Sequence, residues 1–247
     1  MDKNDRIKIF SALVIPFLLT AICWLTYYLD TTQNLELYRY GILPRTIEGL
    51  YGIIFTPFIH DAKDISHIIN NSMPLLFLGW CLFYFYREVA WKVLLFIWLA
   101  GGFWLWLIQD DHYHIGASGV VYGLASFLFY SGVIRRNKHL MALTLLVAFL
   151  YGGMIWGIFP YDIRISWQSH LLGGIAGFMA AWYYRKTGMQ REKYDWNDEE
   201  VETSFPVINK NHEEALTEKE STAEEEKNIT VVYQYKENKD AEGSDQR

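Results

Sequence analysis

The sequence predicts an all-α membrane protein, a bundle of six transmembrane helices followed by a disordered cytoplasmic C-terminal tail. Three observations carry that fold class. Of 247 residues, 51% are hydrophobic and 17% aromatic, which is rich for a soluble domain. The apolar residues gather into runs of about 20 with few charges, the length a helix needs to cross a hydrocarbon core about 30 Å thick. The charge is unevenly spread: of 28 acidic and 22 basic residues, 17 and 8 fall from Thr187 onward, leaving a body of net +3 and a tail of net −9. The two parts are read separately, residues 1–186 as the membrane domain and residues 187–247 as the acidic tail.

The first span runs from Ile7 to Leu29, 23 residues without a charge after Lys8. Lys3, Arg6 and Lys8 at its start resemble a signal peptide, but the run is too long for one and "TYYLDTT" offers no small-x-small cleavage site. It reads as a retained transmembrane helix. A loop of about 35 residues follows, Asp30 to Asp64, whose amphipathic stretch "RTIEGLYGIIFTPFI" is suited to the membrane interface. The second span, Ile65 to Tyr86, is impure: it holds His67, Asn70, Asn71, Ser72 and Pro74. Trp91 to Ile108 forms the third, Ile115 to Val133 the fourth and Leu140 to Phe159 the fifth. The sixth, Trp167 to Tyr184, is impure again, with Gln168 and His170. Beyond about Lys193 the chain is too polar to bury a core. Its runs such as "EEALTEKESTAEEEK" predict disorder, and "NITVVYQYK" reads as a fluctuating β-prone island.

Loop charges orient the bundle. With the N-terminus in the cytoplasm, the inner side holds Lys3, Arg6, Lys8, Arg87, Lys92, Arg135, Arg136, Lys138, Arg185, Lys186, Arg191 and Lys193. The outer side holds only Arg39, Arg45, Lys63 and Arg164. This is a positive-inside bias, so both termini are expected in the cytoplasm and the protein in a plasma (inner) membrane. The two cysteines, Cys23 and Cys81, fall inside spans, which argues against a disulfide framework.

In this topology spans two, four and six each run from outside to inside. His67 and Asn71, Ser118, and His170 therefore lie at one depth, a few residues below the outer surface. Polar groups in lipid are expensive, and their agreement in depth points to a shared interior site reached by water. Gly119 and Gly123 on span four, and Gly173 and Gly177 on span six, repeat at a spacing of four, which lets two helices approach closely. Such an approach brings Ser118 and His170 together, with Tyr122 one turn below Ser118 and able to pack on the imidazole.

The stretches "GASG", Gly116 to Gly119, "HIINN", His67 to Asn71, and "HLLGGIAG", His170 to Gly177, each open a span. In chain order, His67–Asn71, then Gly116–Gly119, then His170–Gly177, they resemble the rhomboid intramembrane serine proteases, over roughly residues 5–186. The resemblance implies a rhomboid-like six-helix bundle in which Ser118 is the nucleophile and His170 the general base. It also implies that His67 and Asn71 stabilise the oxyanion and Tyr122 stacks on the histidine, with Gly116, Gly119, Gly173 and Gly177 in support. Substrates would be transmembrane proteins, single-span helices with small residues at the cut. One departure stands out: where family members often carry a Trp-Arg pair, this first outer loop reads "LYGIIF", with Tyr51 and Gly52.

The chemistry agrees with the residue types. A serine hydroxyl needs a neighbouring base to accept its proton, and neutral histidine suits the task. The oxyanion then needs preorganised donors, each worth about 3–4 kcal/mol in other enzymes. Asn71 can offer an amide N–H, His67 a ring N–H, and Ser118 its backbone N–H at a helix start. Asp162, the candidate for a third, orienting group, reads better as a solvated loop residue, leaving a Ser–His dyad. His60, His112 and His114 also lie outside. Without an HExxH pattern or a His pair and carboxylate on one face, a metal is not expected. His60 and His114 read as hydrogen-bonding residues around the site mouth, and Asn70 as facing another helix or water. No cofactor and no nucleic-acid partner are expected; the partners are the lipid bilayer and transmembrane proteins, with any cytoplasmic partner of the tail unspecified. Two other readings stay open: an inactive rhomboid-like binder of transmembrane clients, and a metal- or proton-handling membrane protein using the outer histidines.

Overall fold

The computed structural model describes residues 3–108, 111–150, 157–160 and 166–187. Asp162, Arg164, Arg191, Lys193 and the acidic tail beyond lie outside the described residues. Among the described residues there are seven α-helices: α1 (Lys3–Gln33), α2 (Ile47–Phe55), α3 (Ile65–Phe85), α4 (Ala90–Leu107), α5 (Ser118–Ile134), α6 (Lys138–Leu150) and α7 (Trp167–Tyr183). Two short 3₁₀ turns, Leu37–Tyr40 and Thr56–Phe58, complete the first outer loop. Among the described residues the only β pairing is an isolated antiparallel bridge between Ile42 and His114.

Six of these helices fall on the expected spans, the fifth only as far as Leu150, since residues 151–156 lie outside the described residues and 157–160 are not helical; α2 is the amphipathic segment of the long loop. α1, α3 and α4 are long and apolar enough to cross a membrane by length and composition. α5 and α7, at 17 residues each, reach only about 25 Å at 1.5 Å per residue. The fourth span starts at Ser118 rather than Ile115 because Gly116 sits at φ +106°, a left-handed conformation that breaks the helix before it begins.

α5 lies at the centre, against α3, α4, α6 and α7, and α7 packs on α5 and α4. A Cβ added to Gly173 would strike the Gly119 carbonyl, and one added to Gly177 the Gly123 carbonyl. The two backbones touch there, as small-xxx-small packing requires. Ser126 fastens the same seam, its hydroxyl donating to the Gly174 carbonyl at 2.7 Å. α4 backs the pair, with Ile97 packed against Gly123. α1 lies along α3: the Trp24 indole donates to the Ser72 hydroxyl at 2.9 Å, and Pro16 fits against Gly79.

α2 is clamped onto α4 by two indoles, Trp98 donating to the Ile53 carbonyl and Trp106 to the Thr46 carbonyl, each at 2.8 Å. Thr46 caps α2 through its hydroxyl, which accepts from the Gly49 amide. The glycine face, Gly49 and Gly52, turns inward, while Ile47, Leu50, Tyr51, Ile54 and Phe55 are exposed. The departure at Tyr51–Gly52 thus has a steric reason: Gly52 crosses directly over the Gly41 main chain, where a Cβ would collide.

At the far end of the bundle Arg135 is buried. Its guanidinium donates to the carbonyls of Tyr184 at 2.7 Å and Thr187 at 2.8 Å and lies over the Tyr86 ring. It caps the last turn of α7 and ties the ends of α3, α5 and α7 together.

Candidate active site

Ser118 is the first residue of α5 and His170 lies in the first turn of α7. The glycine seam brings them into contact: Ser118 Oγ and His170 Nε2 are 2.8 Å apart. The other ring nitrogen, His170 Nδ1, is 2.8 Å from the Gly157 carbonyl oxygen. A carbonyl can only accept, so the proton resides on Nδ1, and Nε2 presents its lone pair to the serine hydroxyl. Tyr122 stacks on the imidazole, with centroids 4.1 Å apart and planes within 7°. The ring is thus held by a bond on each side and a flat contact on one face, and His170 is buried.

Two residues before Ser118, Gly116 meets the second polar group. A Cβ there would lie 2.6 Å from His67 Nε2 and 3.8 Å from Asn71 Nδ2. Both its positive φ and this close approach require glycine. Asn71 donates from Nδ2 to the His67 carbonyl at 2.8 Å, one turn back on α3. The Asp61 amide donates a long bond, 3.4 Å, to His67 Nδ1, which leaves the ring proton on Nε2, the nitrogen facing Gly116. The first amides of α5 have no intrahelical partner, and no side chain caps that end. Donors from α3 and α5 therefore converge on one small region beside Ser118.

Of the sequence-predicted site residues, Ser118, His170 and Tyr122 form one contact group, and His67, Asn71 and Gly116 a second beside it. Gly119, Gly173 and Gly177 lie in the seam below. Asn70 is exposed. His112 pairs with Asp111 at 2.6 Å on an exposed loop. Among the described residues no group of three His, Cys, Asp or Glu is placed to hold a metal ion.

The two remaining outer histidines differ from one another. His114 does hydrogen-bond at the mouth, its Nδ1 2.7 Å from the Ser166 hydroxyl. His60 does not: it is 2% exposed, neither ring nitrogen makes a well-formed hydrogen bond, and it packs edge-on against His67 at 5.1 Å. Burial, reinforced by the nearby His67 and opposed by a weaker pull from the Phe58 main chain, pushes its pKa down to about 3. The sequence reading also missed Gly157, whose carbonyl occupies the orienting position sought in a carboxylate; main-chain acceptors leave no trace in residue type.

A helical bundle whose outward side chains include Phe10, Phe17, Leu25, Trp91 and Leu99 is an integral membrane protein. Residues 48–187 match the Rhomboid domain. An uncharacterized protein of Mycobacterium tuberculosis is 32% identical over 190 residues, covering 73% of this chain and 77% of that protein. An uncharacterized protein of Mycobacterium leprae is 30% identical over 191 residues, covering 73% and 74%. The chain belongs to the rhomboid family, membrane-embedded proteases and their inactive relatives, which act on transmembrane proteins.

Proposed function

We propose that this protein is an intramembrane serine endopeptidase that uses the Ser118–His170 dyad to cut peptide bonds in or near the transmembrane segments of other membrane proteins. The observation that carries this reading is the 2.8 Å contact between Ser118 Oγ and His170 Nε2, with the Nδ1 proton already committed to Gly157. A binder of transmembrane clients has no use for a histidine fixed in the basic tautomer against a serine.

In the acylation step Ser118 Oγ attacks the scissile carbonyl carbon while its proton passes to His170 Nε2. The carbonyl oxygen becomes an oxyanion, which the Ser118 amide, Asn71 Nδ2 and His67 Nε2–H are placed to receive. His170 then gives its new proton to the leaving amine, and the C–N bond breaks to leave an ester on Ser118. Water attacks the ester, its proton taken by His170, and Ser118 leaves with that proton returned. No cofactor or metal enters any step.

With the positive-inside orientation, the site lies toward the outer face of a plasma (inner) membrane, and residues 187–247 form a cytoplasmic appendage. In this reading the short α5 and α7 start below the outer surface, so a substrate helix must present its bond at that depth. The test is incubation of detergent-purified protein with a single-span substrate, wild type beside Ser118→Ala and His170→Ala. Each variant should be inserted and folded yet without cleavage, and the double variant no worse than either single. Normal cleavage by Ser118→Ala would refute the proposal.

A further inference from the structure

A second histidine–serine contact joins the chain just ahead of α5 to the start of α7. His114 precedes Ser118 by four residues, and Ser166 precedes His170 by four; one rung is the 2.7 Å contact of His114 Nδ1 with Ser166 Oγ, the other the 2.8 Å contact of Ser118 with His170. Each rung joins chain positions 52 apart. Ser166 is the N-cap residue of α7, where a serine hydroxyl ordinarily accepts from the helix's own free amides. Here it makes no such bond and is turned to His114 instead. The helix gives up its cap for a link to another segment.

The other end of the rung is anchored in the first outer loop. His114 exchanges both main-chain bonds with Ile42, at 2.8 and 3.0 Å, and its carbonyl also accepts from the Thr56 hydroxyl at 3.1 Å. Thr56 in turn accepts from the Gly116 amide at 3.0 Å through its carbonyl. Loop one therefore grips the chain on either side of Ile115, just ahead of the nucleophile, and His114 extends that grip to the start of α7. Below the dyad the glycine seam fixes how close α5 and α7 lie. Above it, the His114–Ser166 bond links the segment ahead of α5 to the start of α7.

We propose that His114 and Ser166 are positioning residues: their hydrogen bond is a brace that sets the separation of Ser118 and His170 and so governs the rate of serine attack rather than substrate binding. The inference rests on the protease reading above.

The test uses the full chain in detergent micelles and compares wild type, Ser166→Ala, Ser166→Thr, His114→Ala and the Ser166→Ala/His114→Ala double variant. Three quantities are read: the rate at which a fluorophosphonate labels Ser118, kcat and KM for a single-span substrate, and the melting temperature. A dyad displaced by a fraction of an ångström up to about 1 Å loses on the order of ten- to a hundredfold in rate. Ser166→Ala should lower labelling and kcat by that factor with KM within about twofold, and Ser166→Thr should restore most of the loss. The double variant should fall no further than either single, since both remove one bond. Ser166→Ala at wild-type labelling rate, Ser166→Thr no better than alanine, or losses that multiply in the double variant would each overturn the brace. So would a Ser166→Ala protein that fails to fold, because the bond would then be a stability element. Wild-type protein that neither labels nor cleaves would refute the protease reading itself, a result distinct from any behaviour of the variants.

Discussion

Adjacent glycines on α7 offer a controlled test of how the bundle holds the dyad. At Gly173 a Cβ would collide with the carbonyl, carbonyl carbon and Cα of Gly119, whereas at Gly174 nothing lies within 4 Å of the added carbon. Gly173→Ala must therefore push α5 and α7 apart, since the obstacle is backbone and cannot rotate away. Overpacking of this kind costs about 1–3 kcal/mol, only partly offset by the gain of up to about 1 kcal/mol from alanine's helix propensity. A separation of about 1 Å would stretch the 2.8 Å Ser118–His170 contact past hydrogen-bonding range and cost on the order of a hundredfold in kcat. Gly174→Ala meets open space and should leave kcat unchanged while raising the melting temperature. Cleavage of a single-span substrate and thermal melts of the purified variants decide the matter. Full activity in Gly173→Ala, or equal damage in both, would refute the claim that backbone contact along this seam sets the dyad.

Three further outcomes are expected. Asn71→Ala and His67→Ala should each lower kcat by up to about a hundredfold with little change in KM, because their bonds tighten only as charge develops; a rise in KM alone would place them in docking. His60, with a folded pKa of about 3 against an ordinary 6.5, is neutral in the fold, so below pH 6.5 the unfolded chain binds the extra proton. Stability should then fall as pH drops from about 6.5 toward 3, by up to roughly 1.4 kcal/mol per pH unit, and His60→Phe should flatten that slope; parallel melting curves for the two proteins would sink the assignment. Finally, a tag at Arg247 should be clipped by protease in inverted vesicles and spared in intact spheroplasts, and removal of residues 194–247 should leave cleavage intact; clipping from outside would reverse the topology.

Much of this site was legible in the sequence because its parts are side chains of unusual type for their surroundings. Polar residues at the start of otherwise apolar spans cost too much to be incidental, and glycines four apart told which helices meet. What escaped was carried by main chain or by context. The Gly157 carbonyl does the work expected of an acid, and Ser166 passes in sequence for an ordinary helix cap. Arg135 belongs by sequence to the inner-side charges, and it is buried against Tyr86 and the end of α7, because a guanidinium can satisfy its donors on terminal carbonyls without a carboxylate. His60 follows the opposite course, its position in a polar loop concealing that its ring packs in the interior.

The Gly157 carbonyl on His170 Nδ1 also decides the electrical state in which the site waits. Serine–histidine centres in water-soluble enzymes commonly rest beside a buried carboxylate, an ion whose transfer to a low-dielectric medium is expensive. Here the acceptor is a dipole, so serine, imidazole and carbonyl together carry no formal charge at rest. In the proposed reaction charge arises only during attack, when the imidazolium and the oxyanion form at the same moment a few ångströms apart and largely cancel at a distance. A site assembled in this way can be sunk among apolar helices without a counter-ion, at the expense of a less strongly stabilised imidazolium. With the proposed topology, that exchange fits a dyad set below the membrane surface and held still by stacking, seam and loop.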